Sequence, residues 1–260
     1  MPPARGHTRE PELDAAQIER FHEQGYLVLR SEIDAHPLSE EVDLALAAAD
    51  GSRALAVGGG QVRFLYAPMM ADATPASIRL LERFALTAEM LLGRRVLPVR
   101  AKGTRYYGDT AWHRDSEHGV ASVGFLAYLE DVSVGTGALR VVPGSHQTSS
   151  TPVPGEPGVA LETRPGDVIV FDEHLVHGSL GGSERRQWRV DYVIDPNGPA
   201  EEQLVRGYFG QIFRPGSPGY DARRFPSYGH SWRAMAHPWV RRLDELGVYR
   251  MAAALEGSAE

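Results

Sequence analysis

Trp112-His113-Arg114-Asp115 sets an imidazole and a carboxylate two residues apart. On a β-strand, both side chains would point to one face. A second imidazole in His177-Gly178-Ser179 completes a set of two histidines and one carboxylate. That is the facial triad that holds Fe(II) in non-heme oxygenases, with the opposite face of the octahedral ion open for chemistry. His113-x-Asp115 alone is a weak signal, because a histidine and an acid fall two apart in many chains. His174 also competes with His177 for the third position. The two are three apart and would face opposite sides of a strand. The order of parts strengthens the reading: the His-x-Asp pair comes first, then a hairpin, then Pro165-Gly166-Asp167 and Phe171-Asp172 ahead of the histidines.

The elements that would carry these residues show in the patterning. Residues 1–13 are polar and read as a disordered arm. Asp14 and Gln17 form a capping box for a first helix that Gly25 stops, and Tyr26 to Arg30 reads as a strand. Ser39 to Ala49 reads as a second helix, Ser52 to Gly60 as a glycine-rich loop, and Thr74-Pro75 as the start of a helix ending at Gly93. From about residue 95 short apolar runs alternate with turns, at 96–107, 121–130, 138–142, 159–164, 167–172 and 187–195. Pro143-Gly144, Pro154-Gly155 and Pro165-Gly166 punctuate them. Many short strands with such turns predict a mainly β fold, a sandwich or jelly roll, with flanking helices. Pro238 to Ala254 is again helical in pattern. The expected layout is one domain over 14–260, with a β core at about 95–195 and a C-terminal lid and helices at about 196–255.

Composition narrows the function classes. The chain of 260 residues carries a net charge of −7 and no cysteine. Disulfides and thiolate metal sites are excluded, so a metal must use His, Asp, Glu or water. The acidic balance argues against nucleic acid or an anionic membrane as the main partner. No secretory signal is visible, and no apolar run approaches the roughly 20 residues of a membrane span. A cytoplasmic location and a small-molecule substrate are expected; the oligomeric state is not readable.

Four segments resemble the phytanoyl-CoA dioxygenase family of Fe(II)/2-oxoglutarate oxygenases: Gln17 to Leu29, Trp112 to Asp115, Thr136 to His146 and Arg164 to Ser179. The resemblance implies a double-stranded β-helix, a cupin-like jelly roll, with iron in its mouth. It puts the metal on His113, Asp115 and His177, which leaves His174 a neighbouring polar residue and His146 a structural one. It also implies 2-oxoglutarate as cosubstrate, with O2 consumed and succinate and CO2 released. The cosubstrate's far carboxylate needs a buried cation, and arginine's fork suits it. In Arg185-Arg186-Gln187-Trp188-Arg189-Val190-Asp191-Tyr192, alternation puts Arg185, Gln187, Arg189 and Asp191 on one face. Arg189 is the first choice for that cation and Arg185 the reserve. The short Leu180-Gly181-Gly182-Ser183 turn departs from the family's longer pattern and leaves the choice open. Ser179 matches a position that can hydrogen-bond the cosubstrate. Lys102, the only lysine, would line the pocket from a core strand.

The resemblance thus implies a hydroxylase of a small metabolite or natural-product intermediate. Related halogenases lack the carboxylate present here as Asp115, so halogenation is disfavoured. Two alternatives are a cupin-like metal-dependent isomerase or epimerase that does not use 2-oxoglutarate, and a non-catalytic jelly-roll binding protein.

Overall fold

The computed structural model describes residues 13–48, 53–57, 60–116, 118–148, 158–182, 184–213 and 226–257. Helix α1 (Ala15–Gln24) starts at the capping box, where Asp14 accepts from the Gln17 N–H at 2.7 Å and the Gln17 side chain accepts from the Asp14 N–H at 2.9 Å. It ends at Gly25, whose φ of 82° favours glycine. A Cβ there would also strike the His146 ring, 2.5 Å from Nδ1.

Strand β1 (Tyr26–Leu29) follows, then α2 (Ala35–Ala47), β2 (Arg53–Val57), β3 (Gly60–Pro68) and α3 (Pro75–Leu92). Helix α2 begins four residues earlier than its pattern predicts, because Asp34 caps it by accepting from the His36 N–H. The segment expected as a loop at 52–60 holds strand β2, paired in register with β3 from Arg53 opposite Phe64 to Val57 opposite Gly60. Glycines at its ends hid a hairpin that only tertiary pairing reveals. Of the expected polar arm, Leu13 is buried, and the rest lies outside the described residues.

The β core contains β4 (Val96–Tyr107), β5 (Thr110–His113), β6 (Ser122–Tyr128), β7 (Leu139–Val141), β8 (Val159–Leu161), β9 (Val168–Asp172), β10 (His177–Ser179) and β11 (Glu184–Ile194). The strands form a seven-stranded sheet in the order β1-β9-β6-β11-β4-β3-β2 and a four-stranded sheet in the order β5-β10-β7-β8, every named pairing antiparallel. This is the jelly-roll architecture expected.

Alternation along the strands decides what each face does. On the outer face of the large sheet, Phe125, Val170, Trp188, Val190 and Tyr192 join Leu38, Val42, Leu81 and Phe84 of α2 and α3 in the main core. Phe84 stacks on Phe125 with centroids 4.9 Å apart, and Trp188 Nε1 donates to Ser77 Oγ at 2.7 Å. Each fully buried aliphatic or Phe side chain is worth about 1.5–3 kcal/mol. Between the sheets a smaller cluster holds Leu126, Tyr128, Leu139, Val141, Ile169 and Phe171. It leaves the end near β5 and β10 open.

Beyond β11 lie α4 (Pro199–Ile212), α5 (His230–Ala234), α6 (Pro238–Glu245) and α7 (Val248–Gly257). The helical pattern expected over Pro238 to Ala254 is carried by two helices, separated at Gly247, whose φ of 77° ends the first. Of the aromatics in the segment expected as a lid, Tyr208, Phe209, Phe213, Tyr228 and Trp232 are buried and pack on one another and the core, as ordinary helix packing requires. Tyr220 and Phe225 lie outside the described residues. No helix among the described residues is long and apolar enough to cross a membrane.

Candidate metal centre and its cavity

Strands β5 and β10 pair so that His113 and His177 face one another, with ring centroids 4.3 Å apart. Gly178 allows this approach: a Cβ there would lie 3.0 Å from the Thr110 carbonyl oxygen and 3.3 Å from the Trp112 nitrogen. Each ring is oriented by its own backbone, since Nδ1 of His113 lies 2.8 Å from the Ala111 carbonyl and Nδ1 of His177 lies 2.9 Å from that of Leu175. A carbonyl can only accept, so Nδ1 carries the hydrogen and Nε2 is left with a lone pair for a metal.

Asp115 reaches the same point by another route. Strand β5 ends at His113, so Asp115 stands beyond the strand and alternation does not place it. Its backbone is pinned instead, as the N–H groups of Asp115 and Ser116 both donate to the Glu173 carbonyl at 3.0 and 3.1 Å. Its carboxylate oxygens then lie 3.4 Å from His113 Nε2 and 3.2 Å from His177 Nε2. One ligand atom from each of the three residues lies within 4.8 Å of the other two. Two imidazole nitrogens and one carboxylate oxygen, aimed at one point from a fixed backbone, fit an iron of the facial-triad type.

The electrostatics are strongly coupled. Burial pushes the Asp115 carboxyl up, but the Arg189 guanidinium and the two histidines outweigh it and hold it well below the usual carboxylate range. Burial lowers His177. It also opposes protonation of His113, but the hydrogen bond to Asp115 leaves that ring raised.

The triad opens into a cavity of about 350 Å³ between the sheets, at the small end of the usual range for ligand pockets. The inner faces of β11 and β4 line it, with Arg185 opposite Tyr106, Gln187 opposite Thr104, Arg189 opposite Lys102 and Asp191 opposite Arg100. The four β11 residues share the face that alternation predicts. Arg186, on the other face, bonds instead to Asp43 and Glu130.

The two candidate arginines have different surroundings. Arg189 donates from Nη1 to Asp115 at 2.6 Å, from Nη2 to Glu173 at 2.7 Å and from Nε to Asp191 at 2.5 Å. Burial opposes its charge, but the three carboxylates raise its pKa well above the ordinary value. Arg185 is 2% exposed at the other end of the cavity. It donates to the Gly108 carbonyl at 2.7 Å and to Thr110 Oγ1 at 3.3 Å, lies over the Tyr106 ring and is hydrogen-bonded to Tyr128. Ser179 lines this end as well, with its hydroxyl donating to the Gly137 carbonyl at 2.7 Å.

One acid of the site escaped the sequence reading. Glu173, 3% exposed, accepts from Tyr208 Oη at 2.5 Å as well as from Arg189. Burial and the nearby Asp191 push its carboxyl up to about 8. It lies in the turn between β9 and β10, directly between Asp172 and His174, so periodicity does not mark it out. Lys102 does line the cavity; burial and the Arg189 charge bring its ammonium down to about 8. His174 turns away from the triad, with its ring nitrogens on Asp172 and the His118 carbonyl. His146 lies beside the His22 carbonyl at 3.1 Å, in keeping with a structural role.

A jelly roll with two histidines and one carboxylate converging at its mouth defines the class of non-heme iron oxygenases. The phytanoyl-CoA dioxygenase family model matches residues 21–187, and the chain belongs to that family of Fe(II)/2-oxoglutarate-dependent enzymes. Among solved structures, EctD from S. alaskensis in its apo form is 26% identical with a TM-score of 0.57, over 70% of this chain and 78% of that one. The fold is shared with two non-heme alpha ketoglutarate dependent enzymes from nogalamycin biosynthesis. The carbocyclase SnoK is 20% identical with a TM-score of 0.60, over 80% of this chain and 92% of that one. The epimerase SnoN is 24% identical with a TM-score of 0.57, over 72% of this chain and 86% of that one. No curated protein matches the chain.

Proposed function

We propose that the chain hydroxylates a small molecule, using Fe(II) held by His113, Asp115 and His177 and 2-oxoglutarate as cosubstrate. The observation that carries this is the convergence of the three ligand atoms within 4.8 Å in the same cavity as a buried arginine on the next strand. When bound, iron with 2-oxoglutarate and O2 supplies an oxidant, as 2-oxoglutarate is converted to succinate and CO2. The residues of the chain do the rest: they bind, orient and exclude water.

Arg185, rather than Arg189, is the proposed anchor for the far carboxylate of 2-oxoglutarate. All three donor positions of Arg189 face acids, so an incoming carboxylate would have to displace one of them and meet the other two. Arg185 stands among the hydroxyls of Thr110 and Tyr128 and the ring of Tyr106, groups that can donate to a carboxylate or cover its apolar chain. Ser179 would bind the same carboxylate by turning its hydroxyl from Gly137. Arg189 takes a different role: it holds Asp115 ionised and its oxygen Oδ2 in place, and with Glu173 and Tyr208 it closes the wall behind the triad.

The test is an anaerobic titration of the metal-free protein with Fe(II) and 2-oxoglutarate. It follows the visible charge-transfer band of the chelated 2-oxo acid, then admits O2 and assays succinate. The band and slow succinate release are expected, both lost in Asp115→Ala. A charge-assisted bidentate contact is worth about 1.5–3 kcal/mol, so Arg185→Gln should weaken 2-oxoglutarate by roughly 10- to 150-fold. A substrate product heavier by one oxygen atom supports hydroxylation, whereas an isomer or a dehydrogenated product would replace it with epimerisation or cyclisation. Metal binding without band or succinate would refute the oxygenase reading.

A further inference from the structure

The cavity has two cationic ends. Arg185 marks one. At the other, six residues away along β4, stands Arg100, roughly 20 Å from Tyr106 at about 3.4 Å per residue. A register shift in the β4–β11 ladder, where Asp191 faces Arg100 but Tyr192 faces Pro98, sits at this point. Such bulges re-aim side chains beside functional sites.

Arg100 differs from the other charged groups of the cavity. Its guanidinium lies over the Tyr66 ring at 4.7 Å and the Phe213 ring at 5.4 Å. Among the described residues, Nη1 is buried with no hydrogen-bond partner and no ion pair reaches Arg100. The nearby acids are held elsewhere: Asp191 and Glu173 by Arg189, and Glu173 by Tyr208 as well. Lys102, two residues along the same face, keeps its ammonium 3.8 Å from Asp191, beyond hydrogen-bond reach. A buried guanidinium nitrogen without an acceptor is costly. Two stacked rings fix the plane of the fork but satisfy none of its N–H groups.

We infer that Arg100, assisted by Lys102, receives an anionic group of the substrate, a carboxylate or a phosphate, at the end of the cavity opposite the cosubstrate arginine. The substrate class is then a small acid whose reacting carbon lies between that anion and the triad. Its apolar part would lie against Phe64, Tyr66 and Ile212, which line the same cavity. This rests on the oxygenase reading for the word substrate, but not for the anion site itself.

The experiment is calorimetric titration of the anaerobic protein loaded with Fe(II) and saturating 2-oxoglutarate, so that the Arg185 end is filled. The probes are hexanoate, hexanamide and inorganic phosphate. Hexanoate should bind ~10-fold or more tightly than hexanamide, and Arg100→Gln should remove that difference. Arg100→Lys, which keeps the charge but loses the fork, should retain part of it. Thermal melting of each variant establishes that it is folded. Binding of hexanoate but not phosphate assigns carboxylic acids; phosphate but not hexanoate assigns phosphate esters. Equal affinity for hexanoate and hexanamide with no phosphate binding, or anion affinity unchanged in Arg100→Gln, would overturn the proposal. An absent 2-oxoglutarate band together with Arg100-dependent anion binding would sink the oxygenase reading and leave the anion site standing.

Discussion

Replacing Arg189 by methionine removes a cation shared by three carboxylates while keeping much of the side chain's volume. Glu173 and Asp191 are 3% and 6% exposed in their side chains, and Asp115 is 22% exposed. Removing one partner from a buried pair costs about 3–5 kcal/mol, because the charge left behind has no compensation. The lower figure applies here, because Glu173 already lies up at about 8 and relieves part of the repulsion by keeping its proton. A loss of about 3 kcal/mol lowers Tm by roughly 6–12 °C at about 2–4 °C per kcal/mol. The effect has a sign in pH. In the parent protein the Asp115 carboxyl lies well below its ordinary value, so its contribution is present above about pH 4 and is lost on further acidification. In Arg189→Met the three carboxyls lose their shared cation and keep only the two histidines beside Asp115 and Lys102 near Asp191 against burial and mutual repulsion, so their folded pKa values rise and the penalty grows as pH rises. Melts of metal-free protein from pH 5 to pH 8 should show the gap between parent and variant widening with pH. Arg185→Gln should melt closer to the parent yet lose the 2-oxoglutarate band. An Arg189→Met protein that melts like the parent but no longer binds 2-oxoglutarate would refute this reasoning and make Arg189 the cosubstrate anchor.

Two further outcomes test the frame around the site. Gly178→Ala puts a methyl 3.0 Å from the Thr110 carbonyl oxygen, so β5 and β10 must separate. Chemical denaturation should show a loss of ~1–3 kcal/mol, and Fe(II) titration a weaker site, since those strands carry the two histidines. Asp167 joins the start of β9 to the end of β1, accepting from the Ser31 N–H at 2.9 Å, the Arg164 N–H at 3.1 Å and Arg30 Nη1 at 2.7 Å. Burial pushes its carboxyl up, but those bonds hold it below the ordinary value. Its contribution is therefore present above about pH 4 and lost as pH falls. Asp167→Asn should flatten the acid limb of a stability–pH curve while lowering stability at neutral pH; an unchanged acid limb would contradict this.

What the sequence could and could not say follows from which contacts are local. The strand from 96 to 107 was readable to the residue, because alternation and flanking glycines are local signals. The same alternation correctly grouped Arg185, Gln187, Arg189 and Asp191 on the cavity face. It could not rank the two arginines, because what separates them comes from far along the chain: Asp115 and Glu173 approach Arg189, while Gly108 and Thr110 approach Arg185. His113 and His177 meet because their strands pair, which the motif order suggested. Asp115 meets them through a backbone hydrogen bond to Glu173, which spacing does not encode. The two-residue spacing thus pointed to a carboxylate that does converge with the two histidines, but by an incomplete argument, because the strand ends at His113. Helix α4 was missed although Pro199 at its first turn with Glu201 and Glu202 behind it is a strong start signal. It supplies Tyr208, whose hydroxyl reaches Glu173. A helix that reads as a surface cover by sequence therefore closes the polar wall behind the triad. Substitutions along its inner side should act on the metal site through Glu173 and Arg189, rather than by direct contact.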